Sequence, residues 1–302
     1  MNTIYWLALS LTPGIGGVTT RKLLERFGDI ESIFNASPED ISSIPRISLS
    51  TAQQLLNSPF EQLEAEVVSL NDEEIDLLTW DDDQFPSNLR SLHDAPFILY
   101  VRGTLTAEDF CAVAIVGARQ STEESTNLAE MLGREFANRK VTVVSGLAEG
   151  VDTAAHQGAL TIKNGRTIAV LGSGIRVIHP RSNTELAERI ITSGALLSEF
   201  HPNAPPRGPQ LMARDRIISG LSQAVIIVEA GKNSGSLDTA ARAKKQGRLV
   251  YAVPGSIGTN QLIENGARVI DPTRISFQTL IEEMSDAQDI NPNIQPKQSS
   301  FF

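Results

Sequence analysis

The chain has 302 residues, of which 41% are hydrophobic and 21% charged, a composition typical of a globular protein with room for more than one domain. Its formal net charge is −10, but the charge is unevenly distributed: residues 59–110 hold 13 acidic and 2 basic side chains, and residues 111–270 hold 13 acidic and 18 basic ones. The segment 111–270 is therefore mildly basic, and its charge permits an anionic ligand. One cysteine, four scattered histidines and no long apolar run predict a cytoplasmic protein without disulfide, metal site or membrane span.

Residues 1–58 are predicted to form a small helical domain. A helix, a short hairpin and a second helix occur twice, with PGIGG at 13–17 in the first hairpin and PRIS at 45–48 in the second. This pattern resembles a tandem helix–hairpin–helix module, whose hairpins present backbone N–H groups to a DNA phosphate. The second hairpin lacks the glycine that allows close backbone approach. The alternative is a packing domain of the sterile-alpha-motif (SAM) kind that does not contact DNA.

Residues 59–110 are predicted to be an acidic connector with two short strands that join the core, Ile75–Trp80 and Phe97–Val101. Three consecutive acids, Asp81–Asp83, follow the first strand. Without other ligand side chains nearby in the sequence, such a run is typical of a solvated turn rather than of a metal site.

Residues 111–284 are predicted to be an α/β domain with a doubly wound, mostly parallel sheet, an extended Rossmann-like fold. Short apolar runs end at glycine and lead into helical patterns, as in VAIVGAR, VTVVSGLAEG and TIAVLGSG. Strands are expected at 112–116, 141–145, 167–171, 195–198, 224–228 and 249–252, and helices near 123–138, 151–163, 183–193, 213–221 and 236–246. The remaining residues, 285–302, are predicted to be a flexible tail.

The glycines at the strand ends predict an anion site, since backbone N–H groups and helix N-termini converge at the carboxyl edge of a parallel sheet. Neither a G-x-G-x-x-G nor a G-x-x-x-x-G-K-[ST] motif occurs, which argues against a dinucleotide cofactor and against NTP hydrolysis. We therefore predict no cofactor. Strand-end groups such as Arg119 could grip a phosphate, although the glycines could equally serve only as tight turns.

The order of the motifs is the most specific signal. VGAR, VVSGLAEGVDTAAHQGAL, VLGSGIRVIHPRSN, RDRIISGL, VIIVEA and SGSLDTAARAKKQGRLVYAVPGS occur in one series. This series resembles the DNA-processing protein A family (DprA, also called Smf). The resemblance implies a homodimer that binds and protects incoming single-stranded DNA without sequence preference and loads the RecA recombinase during natural transformation, without catalytic turnover.

The resemblance also implies which residues contact DNA. Carried over to matching positions, the binding residues are Gly117, Arg119, Ser145, Gly146, Arg181, Arg214, Arg216, Ser236 and Lys244. Three acids depart from the family pattern near these positions: Asp215 replaces an asparagine, Glu149 an arginine and Asp238 an aliphatic residue. We expect residues after 285 to hold no counterpart of the winged-helix domain that many members carry.

Two other hypotheses remain open from the sequence. Gly235–Asp238 is a distorted version of the motif of nucleotide-processing phosphoribohydrolases, in which Asp238 would be the required carboxylate. The third hypothesis is a scaffold that uses the fold for protein contacts alone.

Overall fold

The computed structural model describes residues 2–290. The helices are α1 Asn2–Leu11, α2 Gly17–Phe27, α3 Ile30–Phe34, α4 Pro38–Ser42, α5 Leu49–Leu56, α6 Phe60–Asp72, α7 Ser87–Arg90, α8 Glu123–Asn138, α9 Val151–Leu160, α10 Thr184–Ser193, α11 Gly208–Ala213, α12 Asp215–Leu221, α13 Ser236–Lys245, α14 Ile257–Glu264 and α15 Phe277–Ile290. The strands are β1 Ile75–Thr79, β2 Ile98–Gly103, β3 Ala112–Val116, β4 Thr142–Ser145, β5 Thr167–Val170, β6 Ala195–Ser198, β7 Ala224–Ile227, β8 Leu249–Ala252 and β9 Arg268–Val269.

The two predicted hairpins of the helical domain adopt the same backbone conformation. Gly14 in the first has a φ of 86°, and Arg46, at the matching position of the second, has a φ of 79°. A buried isoleucine follows each of them and anchors the turn in the helical core. The second hairpin therefore forms without its glycine, with an arginine in the left-handed region that L-residues rarely adopt.

We expect the substitution Arg46→Gly to stabilise the protein by about 0.5–1 kcal/mol, because glycine adopts this backbone conformation without strain. The free energy of unfolding in urea measures the gain. Arg46→Ala is the control, since it removes the same exposed charge and keeps the strain. Equal stability of the glycine and alanine variants would show that the charge, not the backbone, was responsible.

The two hairpins differ in their surroundings. A Cβ on Gly17, the first residue of α2, would lie 2.0 Å from the carbonyl oxygen of Ala95, so α2 begins in close contact with the connector. Arg21 strengthens this contact by donating to the carbonyls of Arg90 and Leu92. Arg46 is exposed to solvent, as is Gly14 at the matching position of the first hairpin. The tips of both hairpins are thus exposed, and the contact with the connector begins just after the first of them, at Gly17.

The two strands of the connector belong to the central sheet. Its strands β1 and β2 pair antiparallel, and β2 pairs antiparallel with β6 of the α/β domain. The acids after β1 form the predicted turn: Asp82 accepts hydrogen bonds from the amide and hydroxyl of Thr79, and Asp81 accepts one from the indole of Trp6.

The nine strands lie in the order β1-β2-β6-β5-β4-β3-β7-β8-β9, and all pairs from β6 to β9 are parallel. From β3 the chain adds β4, β5 and β6 on one side and then returns to the other side of β3 with β7 and β8. The direction of strand order therefore reverses between β3 and β7. In doubly wound sheets, ligands bind beyond the carboxyl ends of the strands at this reversal.

Helices cover both faces of the central strands, which explains why β3 is buried along its whole length. One face packs against α12, α13 and the connector, and the other against α8, α9 and α15. The helical domain packs beside α10, over the β1–β2–β6 side of the sheet. Residues 285–290, which were predicted to belong to a flexible tail, are part of α15; the rest of the predicted tail, 291–302, lies outside the described residues.

Candidate functional site

A cavity of about 620 Å³ opens at the reversal point of the sheet. Its walls come from the turn after β3, the start of α9, the segment from α11 into α12, and the start of α13. The lining residues are Val116, Gly117, Ala118, Arg119, Gln120, Ala148, Glu149, Asp152, Leu211, Met212, Arg214, Asp215, Ile218, Ser234, Gly235, Ser236 and Thr239. The sequence-predicted residues Gly117, Arg119, Arg214 and Ser236 are thus brought together in one cavity.

Gly117 allows the turn after β3 to approach the neighbouring elements. A Cβ at this position would lie 2.7 Å from a side-chain methyl of Val151, the first residue of α9, and 3.0 Å from the carbonyl oxygen of Glu229. Glycine is therefore required by packing, and the close approach places Arg119 at the cavity rim.

Arg119 is the exposed cation of the cavity. Its side chain forms neither a hydrogen bond nor an ion pair with any residue between 2 and 290. The first turn of α13 faces the same space: Ser236 is its first residue, its hydroxyl lies 2.8 Å from that of Ser234, and no side chain of the described residues caps the helix. A guanidinium beside an uncapped helix N-terminus is an arrangement suited to phosphate.

Arg214 belongs to the floor of the cavity, where it is only 6% exposed. Its Nη1 donates to the carbonyl oxygens of Gly146 at 2.6 Å and Val170 at 2.8 Å, and its Nε donates to Asp215 at 2.8 Å. The guanidinium thus ties β4, β5 and α12 together. Arg214 organises the site, and most of its hydrogen-bonding capacity is used within the protein.

Two carboxyl groups line the cavity beside Arg214. Asp152 accepts hydrogen bonds from the amides of Gly146 and Ala148, and burial raises its pKa. Burial also raises the pKa of Asp215 from 3.8 to about 6, against the opposing effect of the Arg214 charge. The predicted negative charge at Asp215 is thus partly compensated by its ion pair with Arg214.

The buried histidine behind the cavity is structural. The hydroxyl of Thr167 donates to the carbonyl oxygen of Val143, so it accepts a hydrogen bond from Nδ1 of His156. Burial, with a smaller effect of Arg214, lowers the pKa of His156 to about 3. The ring is therefore neutral at physiological pH and supports the α9–β5 contact.

Five sequence-predicted residues do not line the cavity. Ser145 is fully buried and donates its hydroxyl to the carbonyl oxygen of Ile115. The backbone of Gly146 is occupied at both ends, by Asp152 and by Arg214.

The other three are cations that lie outside the cavity lining. Arg216 forms a two-point ion pair with Glu199, at 2.6–2.7 Å. Arg181 is exposed in a 3₁₀ turn before α10. Lys244 is exposed at the end of α13 and donates to the carbonyl oxygen of Asn265.

Several residues of the cavity wall were not among the predicted site residues, including Asp152, Leu211 and Met212. An acid at the start of a predicted helix that follows a glycine-ended strand is a usable signal for Asp152. No local signal identifies the other two, because the helix was expected to begin at residue 213 and they lie before it, in α11.

The three unusual acids have different positions. Glu149 is exposed at the cavity and accepts a hydrogen bond from Ser182. Asp238 does not line the cavity and is paired with Arg242, one turn later on α13. The phosphoribohydrolase hypothesis needs the Asp238 carboxylate at the reaction centre, and this placement argues against it.

Within residues 2–290, no group of three or more metal-binding side chains occurs, and none of the helices combines the length and the apolar character that a membrane span requires.

Comparison with known proteins agrees with this architecture. The sequence model of the family "DNA recombination-mediator protein A" matches residues 76–284, and that of the "SAM-like Helix-hairpin-helix tandem" matches residues 7–58. The Smf protein of Synechocystis is 34% identical over 88% of this chain and 69% of its own length.

Two solved structures extend the comparison to the fold. DNA processing protein A from Streptococcus pneumoniae superposes with a TM-score of 0.78 at 33% identity, over 94% of this chain and 98% of that one. The protein from Helicobacter pylori, for which a single-stranded DNA binding mode is described, gives a TM-score of 0.61 at 30% identity, over 70% and 96%. The predicted fold class is confirmed, and the chain belongs to the DNA recombination-mediator protein A (DprA/Smf) family.

Proposed function

We propose that this protein binds single-stranded DNA through its phosphates at the carboxyl edge of the sheet, across the cavity between β3 and β7. The observation that carries the proposal is the unpaired, exposed Arg119 beside the uncapped start of α13 within the described residues. The single-stranded DNA binding mode described for the Helicobacter pylori relative supports it. Because only 5% of the residues are aromatic, we expect phosphate contacts to dominate the affinity and sequence preference to be weak.

The rest of the proposal follows family membership. We propose that the protein acts in the cytoplasm as a homodimer, that it binds DNA without turning it over, and that it loads RecA onto the bound strand in natural transformation. The rate at which RecA assembles on an oligonucleotide covered by a single-strand-binding protein, with and without this chain, tests the loading step. An unchanged rate would remove RecA loading and leave DNA binding to be judged on its own.

We expect Arg119→Ala to weaken binding to single-stranded oligonucleotides of any sequence by about 10-fold, the effect of removing one charge-assisted phosphate contact. Fluorescence anisotropy across a salt series measures it. The slope of log affinity against log salt should become shallower by about 0.7 for each phosphate that the variant no longer neutralises. Single strands should bind more tightly than the duplex of the same sequence.

The matched control is Lys163→Ala. Lys163 lies before β5, at the amino edge of the sheet and so on the side away from the cavity. This substitution removes the same unit of charge and should leave affinity and salt slope close to those of the wild type. Equal effects of the two substitutions would mean that binding follows the overall charge and would contradict the cavity as the site.

A further inference from the structure

An exposed methionine stands at the cavity wall. Met212 is 51% exposed and lines the cavity together with Arg119 and the start of α13. The other large hydrophobic side chains with comparable exposure in the described part of the chain do not line it; these are Leu11, Leu49, Val68, Ile257 and Val269. Packing within the described part of the protein therefore does not explain why Met212 is exposed at the cavity.

The backbone that carries Met212 is held firmly. A Cβ on Gly172, just after β5, would lie 2.7 Å from Cα of Leu211, so α11 rests directly on the end of that strand. The carbonyl oxygen of Leu211 accepts a hydrogen bond from Nε of Arg214, and its amide donates to the carbonyl of Arg207. Met212 thus projects from a fixed support at the mouth of the cavity.

The cavity has no aromatic side chain to receive a base. None of its lining residues in the described part of the chain is Phe, Tyr, Trp or His. A thioether is polarisable and unbranched, and it makes favourable contacts with ring systems at their faces and edges. With a phosphate at Arg119, the base of the same or the next nucleotide needs an apolar surface close by, and Met212 supplies one.

We infer that Met212 is a base-contacting residue, the apolar counterpart of Arg119 in the grip on a single strand. This inference rests on the proposed function. It assigns two separable contributions to the cavity: Arg119 gives the salt-dependent part of the affinity, and Met212 gives a part that depends on the presence of a base and not on salt.

The test compares two oligonucleotides of equal length, one of thymidines and one of abasic sugar-phosphate units, by fluorescence anisotropy over a salt series. Met212→Ala should weaken binding of the thymidine strand by about 3- to 10-fold, as expected for removing one sulfur–ring contact. It should leave the salt slope and the affinity for the abasic strand unchanged. Met212→Leu, which keeps the apolar volume, should bind the thymidine strand within about 2-fold of wild type.

Val68→Ala is the matched control, because Val68 is an exposed apolar residue on α6, away from the cavity, and should have no effect. Wild-type affinity of Met212→Ala for the thymidine strand overturns the inference. An equally weakened affinity for the abasic strand also overturns it, since the residue would then act on the backbone. If the wild-type protein binds neither strand, the proposed function itself fails, an outcome distinct from binding that is insensitive to Met212.

Discussion

The Gly146→Ala variant is expected to lose about 3–5 kcal/mol of stability and, with it, the cavity floor. A Cβ at this position would lie 2.0 Å from Nη1 and 2.3 Å from the central carbon of the buried Arg214 guanidinium. The guanidinium would have to leave the carbonyl oxygens of Gly146 and Val170, and a buried charge without partners is strongly destabilising. Urea unfolding followed by circular dichroism measures the decrease in stability.

Gly231→Ala is the matched control for this prediction. Gly231 lies in the loop after β7, its φ is not in the left-handed region, and a Cβ there has no neighbour within 4 Å. Its stability should stay within about 0.5 kcal/mol of wild type. If Gly146→Ala unfolds at the wild-type urea concentration, Arg214 has an alternative position of similar energy and does not hold the floor.

Asp215→Asn is expected to improve DNA binding, in contrast to the damage expected from Gly146→Ala. It should raise the affinity for single-stranded DNA at pH 7.5 by about 5- to 10-fold, because one negative charge near a bound phosphate costs roughly 1 kcal/mol. The amide oxygen can still accept the hydrogen bond that Arg214 donates to Asp215. Anisotropy titrations of the two proteins measure the difference.

The pKa of Asp215 gives this prediction a pH dependence. The folded value of about 6 lies above the ordinary 3.8, so folding favours the protonated carboxyl. The associated stability is fully present below about pH 4 and is lost as the pH rises through 6, which leaves the wild type about 1–3 kcal/mol less stable than Asp215→Asn at pH 7.5. DNA affinity of the wild type should increase correspondingly as the pH falls from 7.5 to 5.5.

The variant should lack this component of the pH response, and it keeps every histidine, so the difference between the two proteins isolates Asp215. Asp76→Asn, an exposed acid on the edge strand β1, is the charge control and should match wild type. Identical pH profiles for wild type and Asp215→Asn would contradict the titration of Asp215 in the cavity.

The ends of the central strands show which parts of the fold can be predicted from local sequence. A β-branched run that stops at glycine is a local pattern, so the central strands, their parallel pairing and the glycine at position 117 could be predicted directly. Pairing between distant segments could not. The connector strand β2 joins β6 across nearly a hundred residues, and its periodicity does not indicate a partner.

The arginines show why the sequence alone could not predict which residues of the site are free to bind a ligand. From the sequence alone, Arg119, Arg214 and Arg216 are equally good candidates for binding phosphate, since each follows or precedes a predicted strand. In the structure Arg216 is neutralised by Glu199, and Arg214 is bound to carbonyls 68 and 44 residues away. Only Arg119 of these three is left to meet a ligand.

The sequence by itself determined the class of this protein: the alternation of apolar strands and helices, the doubled hairpin module, and the ordered motifs of its family. These features depend on the spacing of residues that are close together in the sequence, so they can be read from the sequence directly. The tertiary structure alone decided which charges stay free and which are used inside the fold. That outcome depends on the long-range contacts that bury one guanidinium and expose another, and burial sets what each group can bind.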